Sequence, residues 1–143
     1  DPPWTPRPGM WSHLAAFLEA LRTRHFSEAT LASHHSHLGR FFTWCDERHL
    51  VEATDVTQPV VEQYQRWLFY YRKTSGRPLS VTFQNSMLRS VKVYFRWLTR
   101  QHLALFNPAA EILFLVMILL IIFSMMLKRM SYLPQTQEWF PYG

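Results

Sequence analysis

The sequence predicts an all-α fold, a compact bundle of four to five helices that closes on a hydrophobic C-terminal helix. Three observations carry this expectation. Apolar residues recur every three or four positions through most of the chain, the period of a helix with one buried face. Only four glycines punctuate the 143 residues, and no run of Val, Ile and Thr alternates with polar residues as a half-buried strand requires. Ser, Thr or Asn stands just ahead of several apolar runs, where its side chain can accept an orphan N–H of a first helical turn. A hydrophobic fraction of 48% with abundant Trp and Phe suffices for a core and excludes a disordered tail. The length suits one domain, or one domain with an appendage.

Residues 1–11, opening on the proline-rich DPPWTPRPG, read as an extended lead-in. The chain starts on Asp1 rather than Met, as a fragment does, and nothing near it has the pattern of a signal peptide. Residues 12–111 form the helical domain. Its first helix is expected from Ser12, as cap, to about Arg24, with Leu14, Phe17, Leu18 and Leu21 inward. His25-Phe26 turns the chain. Ser27 caps a second helix reaching about His49, with Glu28 in the first turn complementing the helix dipole. Leu31, Leu38, Phe41, Phe42 and Cys45 form its buried stripe, while Thr30, Ser33, His37 and Arg40 share a polar face. Gly39 interrupts this helix at a cost of about 1 kcal/mol against Ala, which marks it as a candidate close helix contact.

After the connector VEATDVTQP (51–59), Thr57 as cap and Pro59 in the first turn open a third helix to about Arg72. Val60, Val61, Tyr64, Leu68 and Tyr71 are its inward residues. KTSGRP (73–78) is a basic loop; it lacks the G-x-x-x-x-G-K frame of a phosphate-binding loop, yet Lys73 and Arg77 can touch a polyanion backbone. Ser80 then caps the fourth helix, which no Pro or Gly interrupts before Pro108. Met87, Leu88, Val91, Tyr94, Phe95 and Leu98 make its apolar face, and Thr82, Asn85, Arg89, Lys92, Arg96 and Arg100 recur along another. Asn107-Pro108 is a start signal for a fifth helix at Pro108. The run ILFLVMILLIIFSMML (112–127) has one hydroxyl and no charge, so it forms a hydrophobic helix without a solvent face. As a helix its length is about 24 Å, short of the ~30 Å hydrocarbon core of a bilayer. Residues 128–143 read as an irregular tail.

Charge placement says more than the net +5. No Asp or Glu occurs from Gln63 to Ala110, a span that holds Arg66, Arg72, Lys73, Arg77, Arg89, Lys92, Arg96 and Arg100. The acids sit mostly before it, at Glu19, Glu28, Asp46, Glu47, Glu52, Asp55 and Glu62. A positive field on one side favours a polyanionic partner, although a basic stripe is also the ordinary solvated face of a helix. A single cysteine, Cys45, excludes an internal disulfide framework and fits a reducing compartment. On its apolar stripe it is a small buried hydrophobe rather than an activated thiol. His34, His35 and His37 lack an acidic or thiolate third ligand, so no metal and no other cofactor is expected. Trp44, Trp67 and Trp97 are read as core and rim packing.

Four segments in order, SEATLASHHSHLGRFFTWC (27–45), VTQPVVEQYQRWL (56–68), PLSVTFQNSMLRSVKVYFRWL (78–98) and NPAAEI (107–112), resemble the N-terminal core-binding domain of tyrosine recombinases of the phage-integrase and Xer type. The first follows that family's S-x-x-T-x-x-x-[YH]-x-x-x-L-x-x-F-x-x-W pattern, with His34 where the family usually has Tyr, which suggests partial burial. The resemblance implies a SAM-like helical half-clamp on double-stranded DNA, acting in integration and recombination in the cytoplasm at the nucleoid. It places Ser27, Thr30, Ser33 and His37 of the second helix at the duplex. On the fourth helix it places Ser80, Thr82, Gln84, Asn85, Arg89 and Lys92 there, and the basic face adds Arg96. Hydroxyls, amides and helix-terminal N–H groups suit phosphate oxygens; Arg89 can also reach a guanine edge and Asn85 an adenine edge. The first and last helices are expected to meet other recombinase protomers.

The departures from the family are as informative. Its members continue from NPA-x-x-I into a polar linker and a catalytic domain, whereas here an oily run takes the linker's place and no phosphotransfer site is assigned. The chain is therefore expected to hold DNA without being an enzyme itself. His37-Leu-Gly-Arg40 spells H-x-x-R inside the second helix, away from any catalytic context, and Tyr132 and Tyr142 have no Arg/His cluster around them. Two alternatives concern residues 112–127. They could anchor a helical protein in a membrane, or 112–143 could be the disrupted continuation of a recombinase gene.

Overall fold

The computed structural model describes residues 9–131, with 112–121 described by their backbone alone. Five helices follow in order: α1 (Leu14–Thr23), α2 (Glu28–Asp46), α3 (Gln58–Tyr70), α4 (Val81–Arg100) and α5 (Ile112–Ser131). Short 3-10 turns occupy Gly9–His13 and Ala53–Asp55. Among the described residues there is no strand, only an antiparallel bridge between Arg72 and Pro78. The fold is all-α, as the spacing of apolar residues predicts.

The chain divides into two compact units, one ending at Leu113 and the other beginning at Phe114. In the first unit α2 is central. It packs along α4 and against α1, while α3 lies on α4. The interior is aromatic: Phe17, Phe41, Phe42, Tyr64, Tyr94 and Phe95 are all fully enclosed. Their rings meet mostly edge to face, with centroids 4.9 Å apart for Phe41 and Tyr64 and 5.2 Å for Phe42 and Tyr94. That arrangement aligns the positive ring edge with a negative ring face and adds to the area buried. The expected apolar face of α4 is buried throughout, from Met87 to Leu98. Cys45 is completely enclosed, and burial pushes its thiol up to about 12.

The helix starts divide into two kinds. The Ser27 side chain accepts the Thr30 N–H and the Ser80 side chain accepts the Phe83 N–H, so α2 and α4 begin where their caps predict. Thr57 makes no such bond, and α3 starts with Pro in its first turn alone. Ser12 does not cap the first helix either. Its hydroxyl donates to the Gly9 carbonyl at 2.6 Å, inside a 3-10 turn that precedes α1. Gly9, Met10 and Trp11 thus sit in this turn rather than in an extended segment. Met10 is buried, its N–H donates to the Val51 carbonyl at 3.0 Å, and its own carbonyl accepts the Tyr94 hydroxyl at 2.7 Å. Gly9 sits at φ +66°, where an added Cβ would fall 2.0 Å from the Val51 carbonyl oxygen, so no side chain fits there. Residues 1–8 of the expected lead-in lie outside the described residues.

Three helices end alike. After α1, α2 and α4 the chain passes through a histidine at positive φ: His25 at 65°, His49 at 59° and His102 at 58°. In each case the next N–H reaches back into the last turn, from Phe26 to Leu21, from Leu50 to Cys45 and from Leu103 to Leu98. This is the closure usually made with glycine, which bears no Cβ penalty in the left-handed region. His49 is exposed. His49→Gly is expected to raise stability by about 0.5–1 kcal/mol, measured as a higher urea midpoint at unchanged slope.

Other boundaries shift for local reasons. α2 ends at Asp46 rather than His49, because the closure at His49 takes up the last turn. α3 ends at Tyr70 rather than Arg72: Lys73 N–H bonds the Arg77 carbonyl, and a turn through Gly76 at φ +82° draws the chain out of the helix. Tyr71 consequently is exposed, not inward. Gly39 marks no close helix contact, since an added Cβ would meet only the Trp11 ring at an ordinary 3.9 Å. The fifth helix starts at Ile112 instead of Pro108, because the Asn107 side chain accepts the Ala109 N–H in a separate turn.

In the second unit the helix runs through Lys128 and Arg129 to Ser131, so the expected tail is helical at its start. From Ile122 to Met130 its side chains are exposed. Among the described residues no helix is long and apolar enough to cross a membrane. Residues 132–143, with Tyr132 and Tyr142, lie outside the described residues.

Candidate nucleic-acid interface

Where α1 ends, α2 begins and α4 crosses both, the first unit has a groove of about 530 Å³. Arg24 comes from the end of α1. From α2 come Thr30, Ser33, His34 and His37, one turn apart along the helix. α4 contributes Ser86, Arg89, Ser90, Arg96 and Arg100. No Asp or Glu is among the described residues that line it.

The cations here are available. Arg24, Arg89, Arg96 and Arg100 are exposed, and among the described residues no carboxylate pairs with any of them. Arg22, by contrast, is occupied by Glu28 at 3.1 Å and Glu19 at 2.6 Å, which hold its guanidinium above its ordinary range. Four unpaired guanidiniums around an acid-free groove make a concave field that concentrates anions.

Beneath these charges lies a polar cluster. Ser90 is buried at 1% exposure, and its hydroxyl stands 2.9 Å from both His34 Nδ1 and His37 Nδ1. Both imidazoles are half-buried, and the Phe17 ring meets His34 while the Phe83 ring meets His37. Burial lowers the pKa of each first; His37 beside His34, and Arg40 beside His37, lower them further. The unfolded chain therefore takes up protons below the ordinary value of 6.5 that the native state refuses. Stability from this pair is full above that value and is lost as pH falls toward the native pKa values. The thermal midpoint is expected to drop between about pH 7 and about pH 5.5, and less so in His34→Gln/His37→Gln measured against its own neutral value.

The residues expected at DNA are only partly gathered. Thr30, Ser33, His37, Arg89 and Arg96 line the groove together. Ser27 and Ser80 are taken up in capping, and Ser27 Oγ also lies 2.9 Å from Thr30 Oγ1. Gln84 turns its amide inward to the Leu79 carbonyl at 3.0 Å, and the Asn85 Oδ1 is buried without a partner. Thr82 is exposed near the start of α4, while Lys92 is half-buried with its carbonyl bonded by the Asn107 amide. Lys73 and Arg77 face each other across the bridged loop outside the groove. Arg24, His34, Ser86, Ser90 and Arg100 are groove residues that the expected set lacks. A serine flanked by buried Met87, Leu88 and Val91 was the available signal for Ser90.

A larger cavity of about 790 Å³ lies between the N-terminal turn, α2 and α3, walled by Trp11, Trp44 and Trp67 with Glu47. None of the residues expected at DNA lines it.

The phage integrase, N-terminal SAM-like domain family model matches residues 14–105, more than half of the chain. The chain belongs to this family. The match covers α1 through α4, so it is the groove-bearing unit that defines the integrase domain. Tyrosine recombinase XerC 2 from Ralstonia nicotianae is 41% identical over 100 residues, 70% of this chain and 29% of that protein. The chain thus spans about three tenths of the length of the curated relative it matches. No solved structure matches it significantly.

Proposed function

We propose that the integrase domain, residues 12–111, is the DNA-holding half-clamp of a tyrosine recombinase, gripping duplex DNA through the groove of α1, α2 and α4. One observation carries this reading: four exposed, unpaired arginines surround an acid-free concavity floored by hydroxyl and imidazole groups. Guanidiniums displace counterions from phosphates, and hydroxyls accept and donate to phosphate oxygens. Thr30, Ser33 and Arg89 stand where a backbone or a base edge can meet them. Lys73, Arg77, Thr82 and Lys92 add flanking contacts. Strand cleavage and rejoining, which the family resemblance implies, belong in this reading to a catalytic domain outside the matched region, and the domain contributes binding and register in the cytoplasm. Contacts with other protomers through α1 and α5 belong to the same proposal.

A mobility shift of the full chain on random-sequence duplex at two salt concentrations tests the reading. Four phosphate contacts give a log–log slope of about −3 to −4. No shift at low salt, or an affinity indifferent to salt, overturns it.

A further inference from the structure

We infer that the His34–Ser90–His37 cluster is a proton-coupled phosphate site: a DNA phosphodiester in the groove is held by the histidine Nε2 edges, and its binding draws a proton onto the cluster. The inference rests on the DNA reading above and deepens it.

Both Nδ1 atoms are committed to one buried hydroxyl. Ser90 has a single proton to donate, so in the neutral cluster it can satisfy at most one imidazole as donor, and the other imidazole donates to it. An imidazole that accepts at Nδ1 carries its proton on Nε2; one that donates at Nδ1 has a bare Nε2 lone pair. Among the described residues neither Nε2 has a hydrogen-bond partner, and neither is a fully buried unsatisfied atom. Both rings line the groove, so these are the edges that an occupant meets. A phosphate oxygen accepts hydrogen bonds only, hence the bare Nε2 can hold it once that nitrogen gains a proton.

The surroundings set the direction. Arg24 faces the cluster from α1, Arg40 accompanies it on α2, and Arg89, Arg96 and Arg100 face it from α4; no carboxylate lines the groove. Burial first, then His37 beside His34 and Arg40 beside His37, disfavour the imidazolium in the free protein. A phosphate inserted in the groove brings the negative charge that is missing, and an opposite charge at close range favours the imidazolium. Linkage then requires that binding and protonation help each other equally.

The test uses the full chain and a short random-sequence duplex. Affinity is expected to rise about tenfold from about pH 7.5 to about pH 6 at fixed salt, with native circular dichroism at both. In His34→Gln/His37→Gln the rise with falling pH should vanish. In parallel, the imidazole Cε1 protons of the wild-type chain are followed by NMR without and with duplex, and both histidines should titrate at higher pH in the complex. Unchanged His34 and His37 titration in a formed complex overturns the coupling even if the double variant fails to fold. Failure to bind duplex at either pH overturns the DNA reading itself, a different result.

Discussion

Glu in place of both Arg89 and Arg96 is expected to weaken duplex binding at least a hundredfold at moderate salt and to flatten the log–log salt slope by about two. Both side chains are exposed and unpaired on α4, and Glu is as good a helix former as Arg, so the fold should survive. The loss is large because reversal removes two counterion-releasing contacts and sets two anions in a groove that has none. Lys73→Glu/Arg77→Glu, on the bridged loop, should cost only a few-fold. Titration by fluorescence anisotropy at several salt concentrations measures both. Equal losses from the two pairs would show that the positive field, and not this groove, directs the DNA.

The largest expected effect on stability is that of Phe41→Ala, about 3–5 kcal/mol. Phe41 has no exposed surface and touches rings from three helices: Phe42 and Trp44 on α2, Tyr64 on α3 and Phe95 on α4. Truncation opens a cavity whose walls are stiff aromatic rings, which collapse poorly around it. Domains of this size have about 5–15 kcal/mol in total, so the loss is a large share of the stability. Urea unfolding followed by tryptophan fluorescence measures the change. A loss under about 1 kcal/mol would mean that α3 is not locked to α2 and α4 through this ring.

Much of this could be read from residues in order, and the pattern of success has a physical cause. Ser27 and Ser80 cap their own helices, and the apolar stripe of α4 needs only its own period, so local rules suffice there. The N-terminal turn escapes such rules because residues far along the chain hold it. Val51 and Tyr94 fix Met10 from 41 and 84 positions away, and nothing near Gly9 announces that. The positive φ at His25, His49 and His102 is not announced locally for another reason: a left-handed closing residue is usually glycine, and histidine carries no such signal. The groove shows the same split. The cationic period of α4 points to Arg89 and Arg96, but their meeting with Arg24 depends on how α1 crosses α4. The inward turn of Gln84 and the burial of Asn85 Oδ1 are likewise settled by packing, not by spacing.

The enclosed thiol of Cys45 has a practical use. With no exposed surface and an ionisation pushed up to about 12, it offers alkylating reagents almost no thiolate at neutral pH. A second cysteine placed at an exposed position such as Thr23 on α1 or Val81 on α4 will therefore take a maleimide dye or nitroxide selectively, with the native cysteine left in place. Pairs of such labels can report the width of the groove before and after a duplex enters it, in a background that needs no cysteine-free variant.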